Sequence, residues 1–305
     1  MGSRKVNFQR NNRCSDQEKF RVLCNMKKHN TYLIAFMLCL AACKNNEDAE
    51  PENVDTLPIP EVQSANEVIE TERLVNELEF VARSIKTAYP NQPGILAGTT
   101  ITEGKTSEGK KKYDIVFNNL NGPDNKKRNG LLTVVYEDAV ENGNVVVGKH
   151  LHVRSDEEAN LFSIDGVKFK GSSVFSNIEA AKASNAATIN HLNAQSFIIK
   201  PDATQIRFSS VRKSKWISGS STGDTNDDVF ELSDQSYSLT IQKNPTSFIE
   251  VKPGQTATLS SSCTQSSFLP KKGKLKIEKL GGKTFYLSFG NGNCSDTVSL
   301  SYNMN

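Results

Sequence analysis

From about residue 112 onward, apolar and polar residues alternate with a period of two. Phe285, Leu287 and Phe289 alternate with Thr284, Tyr286 and Ser288; Leu275 and Ile277 alternate with Lys274, Lys276 and Glu278; Tyr237, Leu239 and Ile241 alternate with Ser238, Thr240 and Gln242. Each run reads as a strand with one face buried and one wet, the mark of antiparallel sheet. Turn residues separate the runs at short intervals: Asn121-Gly122, Asn129-Gly130, Asn142-Gly143, Asp165-Gly166, Gly281-Gly282 and Gly290-Asn291-Gly292. Ile164-Asp165-Gly166-Val167 has the form of a two-residue hairpin. Some twelve strands in this stretch predict a large antiparallel β domain, a sandwich or an open barrel-like sheet, over 91–305, with no room for βαβ units. Residues 176–186 break the alternation and predict a short helix or a loop. A weak internal echo links Tyr113–Tyr136 with Phe285–Tyr302, and two copies of such a hairpin-like unit suggest a duplicated sheet.

Ahead of the strands lies one helical pattern. Leu74, Leu78, Val81 and Ile85 follow i, i+4, i+7, i+11 spacing with Glu and Arg between them. This predicts an amphipathic helix within 65–90 that buries one stripe, and Tyr89-Pro90-Asn91-Gln92-Pro93-Gly94 stops it. The fold class is therefore mainly β, one large antiparallel domain preceded by one amphipathic helix.

Further upstream, residues 43–64 are acidic, carry prolines and show no periodicity, which predicts a flexible tether. Before them, Lys27 and Lys28 precede an apolar run from Tyr32 to Ala42. That run is too short for a hydrocarbon core that needs about 20 residues, so 26–42 reads as a signal peptide. It ends on Leu40-Ala41-Ala42-Cys43, which looks like a bacterial lipobox, with Cys43 as the acylated first residue of the mature chain. Two or three acyl chains make a stable anchor where one gives only marginal binding. Residues 1–25 are polar and precede the n-region, and the plain expectation is an over-long start with translation from Met26.

The leader changes the picture of charge. The 305-residue chain has 37 Lys and Arg against 34 Asp and Glu, a net +3. Residues 1–42 hold eight of the former and two of the latter, so the mature chain is near −3 and nothing argues for nucleic acid. Of six cysteines only Cys263 and Cys294 fall in the predicted domain, and in an exported chain they are expected to pair.

Candidate chemistry is sparse. Gly219-Ser220-Ser221-Thr222-Gly223 matches a nucleophile elbow in letters, but Asp224 to Asp228 follows where a helix is needed. Asp224, Asn226 and Asp228 resemble the opening of a calcium loop, yet Val229 and Gln235 stand where an EF-hand needs Gly and Glu; an exposed acidic turn is the expectation. Adjacent acids at Glu157-Glu158 and Asp227-Asp228 are expected to be solvated. His150 and His152 share one face of a predicted strand, Val145 to Arg154, opposite Val147, Leu151 and Val153, and His191 is the only other histidine of the predicted mature chain that could complete a metal site. A solvated polar face explains the pair more economically. Trp216 with Tyr237 is a candidate sugar-stacking platform, although a lone Trp in a β domain is usually core. The expectation is no catalytic residue, no metal and no cofactor.

Near the C-terminus, Phe268-Leu269-Pro270-Lys271-Lys272-Gly273 and then Phe289-Gly290-Asn291-Gly292-Asn293-Cys294-Ser295-Asp296 resemble the closing segment of a family of uncharacterised Bacteroidota β-rich lipoproteins. Gly122-Pro123-Asp124 with Arg128 and Gly130 resembles an earlier segment of that family, although the cysteine often found before Gly-Pro is absent. The resemblance implies a secreted β-rich lipoprotein and no known activity. Glu47-Asp48 stands where such lipoproteins carry a surface-export signal, and Asp55-Thr56-Leu57 matches the short sequon those bacteria O-glycosylate, with Thr56 the candidate. The expected protein is a non-enzymatic lipoprotein of the outer membrane, held by lipid on Cys43 and facing the cell surface, with the periplasmic face as the alternative. Its expected role is a binding or adhesion module for a glycan or protein ligand; the alternatives are a structural envelope component or an accessory subunit of a hydrolase or uptake system.

Overall fold

The computed structural model describes residues 59–303 apart from 185, 223, 226, 244, 245, 265–267, 295 and 296. The predicted leader, Cys43 and Thr56 lie outside the described residues. Helix α1 runs Ile59–Thr87 and a single 3-10 turn, Gly94–Leu96, leads into the sheet. The strands are β1 (Thr100–Lys105), β2 (Lys111–Asn121), β3 (Lys127–Glu141), β4 (Asn144–Ser155), β5 (Ser163–Ile164), β6 (Val167–Ser176), β7 (Thr188–Ile199), β8 (Gln205–Ser218), β9 (Val229–Gln242), β10 (Ser247–Ser260), β11 (Lys272–Lys279), β12 (Thr284–Asn291) and β13 (Ser299–Ser301). Two short helices interrupt them, α2 (Ile178–Ala183) and α3 (Ser261–Thr264).

All thirteen strands belong to one antiparallel sheet in meander order, with β5 set aside as a short hairpin partner of β6 and β3. The predicted Ile164–Val167 hairpin is present, with Asp165 at φ 51° and Gly166 at φ 82°, as a type I′ turn requires. The β3–β4 turn repeats this with Asn142 and Gly143. The two segments of the internal echo, β2–β3 and β12–β13, sit toward opposite edges of the same sheet rather than in two sheets.

Inward side chains follow the predicted alternation. Ile206, Phe208 and Trp216 on β8, Phe230, Leu232 and Leu239 on β9, and Phe285, Leu287 and Phe289 on β12 are all buried. They pack on α1, which the sheet wraps. Partners of α1 come from β3, β4, the β7–β8 turn, β8, β9 and Phe268. The helix is therefore buried nearly all round from Ser64 to Ile85, not along one stripe. It also starts at Ile59, inside the segment expected to be tether, because Pro60 falls in the first turn, where a missing N–H costs nothing. Ser64 Oγ closes that turn onto the Pro60 carbonyl at 2.8 Å.

Because the sheet is a meander, alternate connections fall at the same end. The β2–β3, β5–β6, β7–β8, β9–β10 and β11–β12 turns share the end where α1 begins, since Lys200 of the β7–β8 turn pairs with Glu67 and Glu70. The β3–β4 hairpin, α2 and the β8–β9 loop share the other end, where Lys86 Nζ donates to the Gly148 carbonyl at 3.1 Å. The disulfide Cys263–Cys294, with Cα atoms 5.0 Å apart, ties the β10–β11 connection to the chain after β12.

Candidate functional site

Two stripes run along α1. The apolar one, Leu74, Leu78, Val81 and Ile85, is the predicted one. The other is polar, Glu72, Asn76, Glu79 and Arg83, and it has the same spacing displaced by two residues, about 200° around the helix. Both are buried. A charge inside a protein must be paired and hydrogen-bonded, and the sheet supplies the partners.

Arg128 on β3 is fully buried and all five of its donors are used. Nε and Nη2 form a fork on the two oxygens of Glu77, at 2.6 and 2.8 Å; Nη1 and Nη2 reach Asp124 at 2.8 and 3.0 Å, and Nη1 also donates to the Lys126 carbonyl at 3.0 Å. Arg212 on β8 donates through Nη2 to Glu79 at 2.6 Å and through Nη1 to Asn76, while Ser214 adds a second donor to Glu79 at 2.9 Å. Glu72 accepts from Tyr237 Oη and from Gln235 and Asn76 amides at 3.2 Å. Burial still outweighs these partners: it pushes the Glu72 and Glu77 carboxyls above the ordinary range, and it raises the Tyr237 phenol well above 10.

At the far end of α1 the stripe ends, still buried, beneath a cleft. Asp228 sits between two donors, Arg83 Nη1 at 3.0 Å and Trp216 Nε1 at 3.0 Å. Arg83 in turn lies over the Phe230 ring, 4.1 Å from its centroid. Burial raises the Asp228 carboxyl to about 6, against the pull of Arg83. Above this group is a cleft of about 330 Å³, lined by the Tyr89–Asn91 segment after the helix, Lys182 of α2, and Trp216, Thr222, Thr225 and Asp228. This volume lies at the lower end of the range that small-ligand pockets occupy.

Several expected features change place. Asp228 is not part of an exposed acidic turn, because it folds inward onto Arg83. Asn226 and Gly223 lie outside the described residues. The Gly219–Thr222 loop joins two strands, with Thr222 N–H and Oγ1 bonded to the Gly219 carbonyl at 3.1 and 2.9 Å, so the elbow geometry of strand then helix does not arise. Tyr237 and Trp216 are both buried in the interior, the first on Glu72, so they form no stacking platform. Glu157 and Glu158 are exposed as expected.

The histidines divide between the two faces. His150 and His152 face outward; His150 Nδ1 shares a hydrogen with Ser176 Oγ at 2.7 Å, and His152 Nε2 lies 3.5 Å from Glu137, which also holds Arg154 at 2.8 Å. Val147 does not join Leu151 and Val153 inside. It is 79% exposed, because the strand is bulged at Gly148. His191 is on the inner face, stacked on Phe175 at 4.8 Å between centroids, so it cannot meet the other two across the sheet. Neither of its ring nitrogens has a hydrogen-bond partner, and burial beside Arg212 drops its pKa well below 6.5. Among the described residues, no three His, Cys, Asp or Glu side chains gather as a metal set.

No family model, curated protein or solved structure matches this chain. The class that the geometry itself defines is a mainly β domain, a single curled antiparallel sheet with a charged helix buried in its concave side and a polar cleft at one end.

Proposed function

We propose that this protein is a non-enzymatic lipoprotein of the bacterial envelope, anchored to the outer membrane through lipid on Cys43, whose β domain serves as a binding or adhesion module at the cell surface. The observation that carries the binding role is the position of the cleft. The helix fills the concave side of the sheet, and among the described residues a pocket lies over Trp216 and Asp228, at the end of α1 opposite the one the tether joins. Lys182, Asn91 and Thr222 around it offer donors and acceptors to a glycan or a peptide. The anchor rests on the order of the n-region, apolar run and Leu40-Ala41-Ala42-Cys43. The resemblance to Bacteroidota lipoproteins supports the same reading.

Intact mass and cell-surface protease sensitivity in the native host test the anchor, with Cys43→Ala as comparison. The wild type is expected to carry acyl mass and to be cut on whole cells, and an unacylated wild type refutes the anchor. For the binding role, glycan and peptide panels are screened by thermal shift against the wild type and Lys182→Ala. A hit that Lys182→Ala weakens supports the cleft; hits that it leaves unchanged place recognition elsewhere.

A further inference from the structure

The end of the sheet from which α1 starts has its own surface chemistry. In the β11–β12 turn Leu280 is 77% exposed, and its N–H donates to the carbonyl of Phe248, itself 46% exposed at the start of β10. Two neighbouring apolar side chains thus project from this end. Lysines share this end: Lys279 and Lys283 flank Leu280 in sequence, and Lys127 and Lys168 stand at the starts of β3 and β6, further along the same end of the sheet. Other lysines here are spent on carboxylates, Lys126 on Asp165, Lys200 on Glu67 and Glu70, and Lys243 on Asp202. Among the described residues no carboxylate lies within ion-pair distance of Lys127, Lys168, Lys279 or Lys283; Lys283 instead rests over the Tyr302 ring at 5.1 Å.

Apolar tips on the same end as unneutralised lysines match a lipid interface, where apolar side chains enter the acyl boundary and long cationic stems reach back to the phosphates. The exposed valines of the β3–β4 hairpin at the opposite end lack this setting, because Lys149 is held by Glu141 and Asp138 stands beside them. Chain length agrees: Ile59 is sixteen positions after Cys43, a span of at most about 55 Å when fully extended, so a lipid on Cys43 keeps this end within reach of the bilayer.

We propose that this end of the domain is a lipid-docking surface, in which Leu280 and Phe248 enter the interface of the bilayer that holds the acyl chains of Cys43 while Lys127, Lys168, Lys279 and Lys283 lie against anionic lipid phosphates. This rests on the anchor reading above and adds an orientation to it: the Trp216 cleft, at the other end of α1, then faces away from that bilayer.

The test uses the full chain with a Leu280→Trp reporter, reconstituted in vesicles containing phosphatidylglycerol and brominated phosphatidylcholine. Native Trp216 is buried and gives a constant background. The added emission should shift to the blue and be largely quenched in Leu280→Trp, but not in a Val140→Trp control at the opposite end. In the unacylated Cys43→Ala chain, where no anchor masks the effect, reversal of Lys279 and Lys283 to Glu should weaken vesicle association by roughly tenfold or more, at about 1 kcal/mol per lysine. Circular dichroism confirms that each variant is folded. Absence of quenching at position 280, or equal quenching at 140, overturns docking; so does quenching that arises only after Glu47, Asp48, Glu50, Glu52 and Asp55 are neutralised, which would assign the lysines to the tether. Intact mass separates the two readings: an acylated chain without quenching overturns docking alone, and an unacylated chain overturns the anchor while quenching at 280 still supports the surface.

Discussion

Replacing His191 by Phe tests whether the interior is built as described. The imidazole is 3% exposed, stacked on Phe175, and has neither nitrogen bonded. Its folded pKa is depressed below the unfolded 6.5, so the unfolded chain binds a proton that the folded one does not, and stability is lost as pH falls below about 6.5. If the folded ring stays neutral down to pH 5, linkage gives a loss of about 2 kcal/mol between pH 7 and pH 5 from this residue alone. Glu72, Glu77 and Asp228 act with the opposite sign, because their raised folded values mean that the folded state holds protons first as pH falls. The total pH profile therefore mixes signs, and the difference between variant and wild type isolates the histidine. Urea unfolding at pH 7 and pH 5 is the assay. His191→Phe keeps the ring stack and removes the unpaired nitrogens, so it should be near wild type at pH 7 and about 2 kcal/mol more stable than wild type at pH 5. Parallel pH dependences for the two proteins would refute the reasoning, since they would mean that His191 protonates freely in the fold.

Further predictions follow from the other interior contacts. Arg128→Met leaves Glu77 and Asp124 buried without their cation and should cost about 3–5 kcal/mol in urea unfolding, whereas Lys213→Met, which loses an exposed pair with Asp234, should cost under about 1 kcal/mol. Emission from the single tryptophan should titrate with a midpoint near 6 through its bond to Asp228, and the step should vanish in Asp228→Asn. Reducing Cys263–Cys294, which spans 31 residues, should lower stability by about 3–4 kcal/mol in the chain-entropy description, read as a fall in Tm. Gly130→Ala should be strongly destabilising, because φ is +99° there and a Cβ would stand 2.3 Å from the Leu161 carbonyl oxygen.

What the sequence made legible was whatever repeats. Period-two runs such as Phe285-Leu287-Phe289 place side chains alternately on two faces whatever the fold around them, so strand number and the antiparallel hairpins could be read locally. The cysteine pair was legible because Cys263 and Cys294 are the two cysteines that fall in the stretch of period-two runs. What failed was the assumption that a polar stripe faces water. Glu72, Asn76, Glu79 and Arg83 have the spacing of an ordinary solvated helix face, and only the partners on distant strands, 133 to 165 residues away, turn them inward. One local signal did exist. On β8 the inward register reads Ile206, Phe208, Ser210, Arg212, Ser214, Trp216, and an arginine between two serines on an apolar face requires an acidic counterpart inside. Asp228 was misplaced for a related reason: its neighbours are loop formers, while its carboxylate answers to Arg83 and Trp216.

The buried network also explains why α1 belongs to the domain and is not an appendage ahead of it. A helix held by apolar contacts alone could slide or rotate within a curled sheet at modest cost, because such contacts are not directional. Here the fork of Arg128 on Glu77 and the reach of Arg212 to Glu79 fix both rotation and register, since a one-residue slip would leave three arginines and their acids buried and unpaired. Such pairs add little net stability over apolar residues of the same volume, so their effect is specificity. Arg83, at the last turns of the same stripe, holds Asp228 of the β8–β9 loop. The register set near Glu72 therefore also positions Asp228 beneath the cleft, and Arg212→Met should shift the emission of Trp216, whose Nε1 donates to Asp228, although Arg212 touches neither.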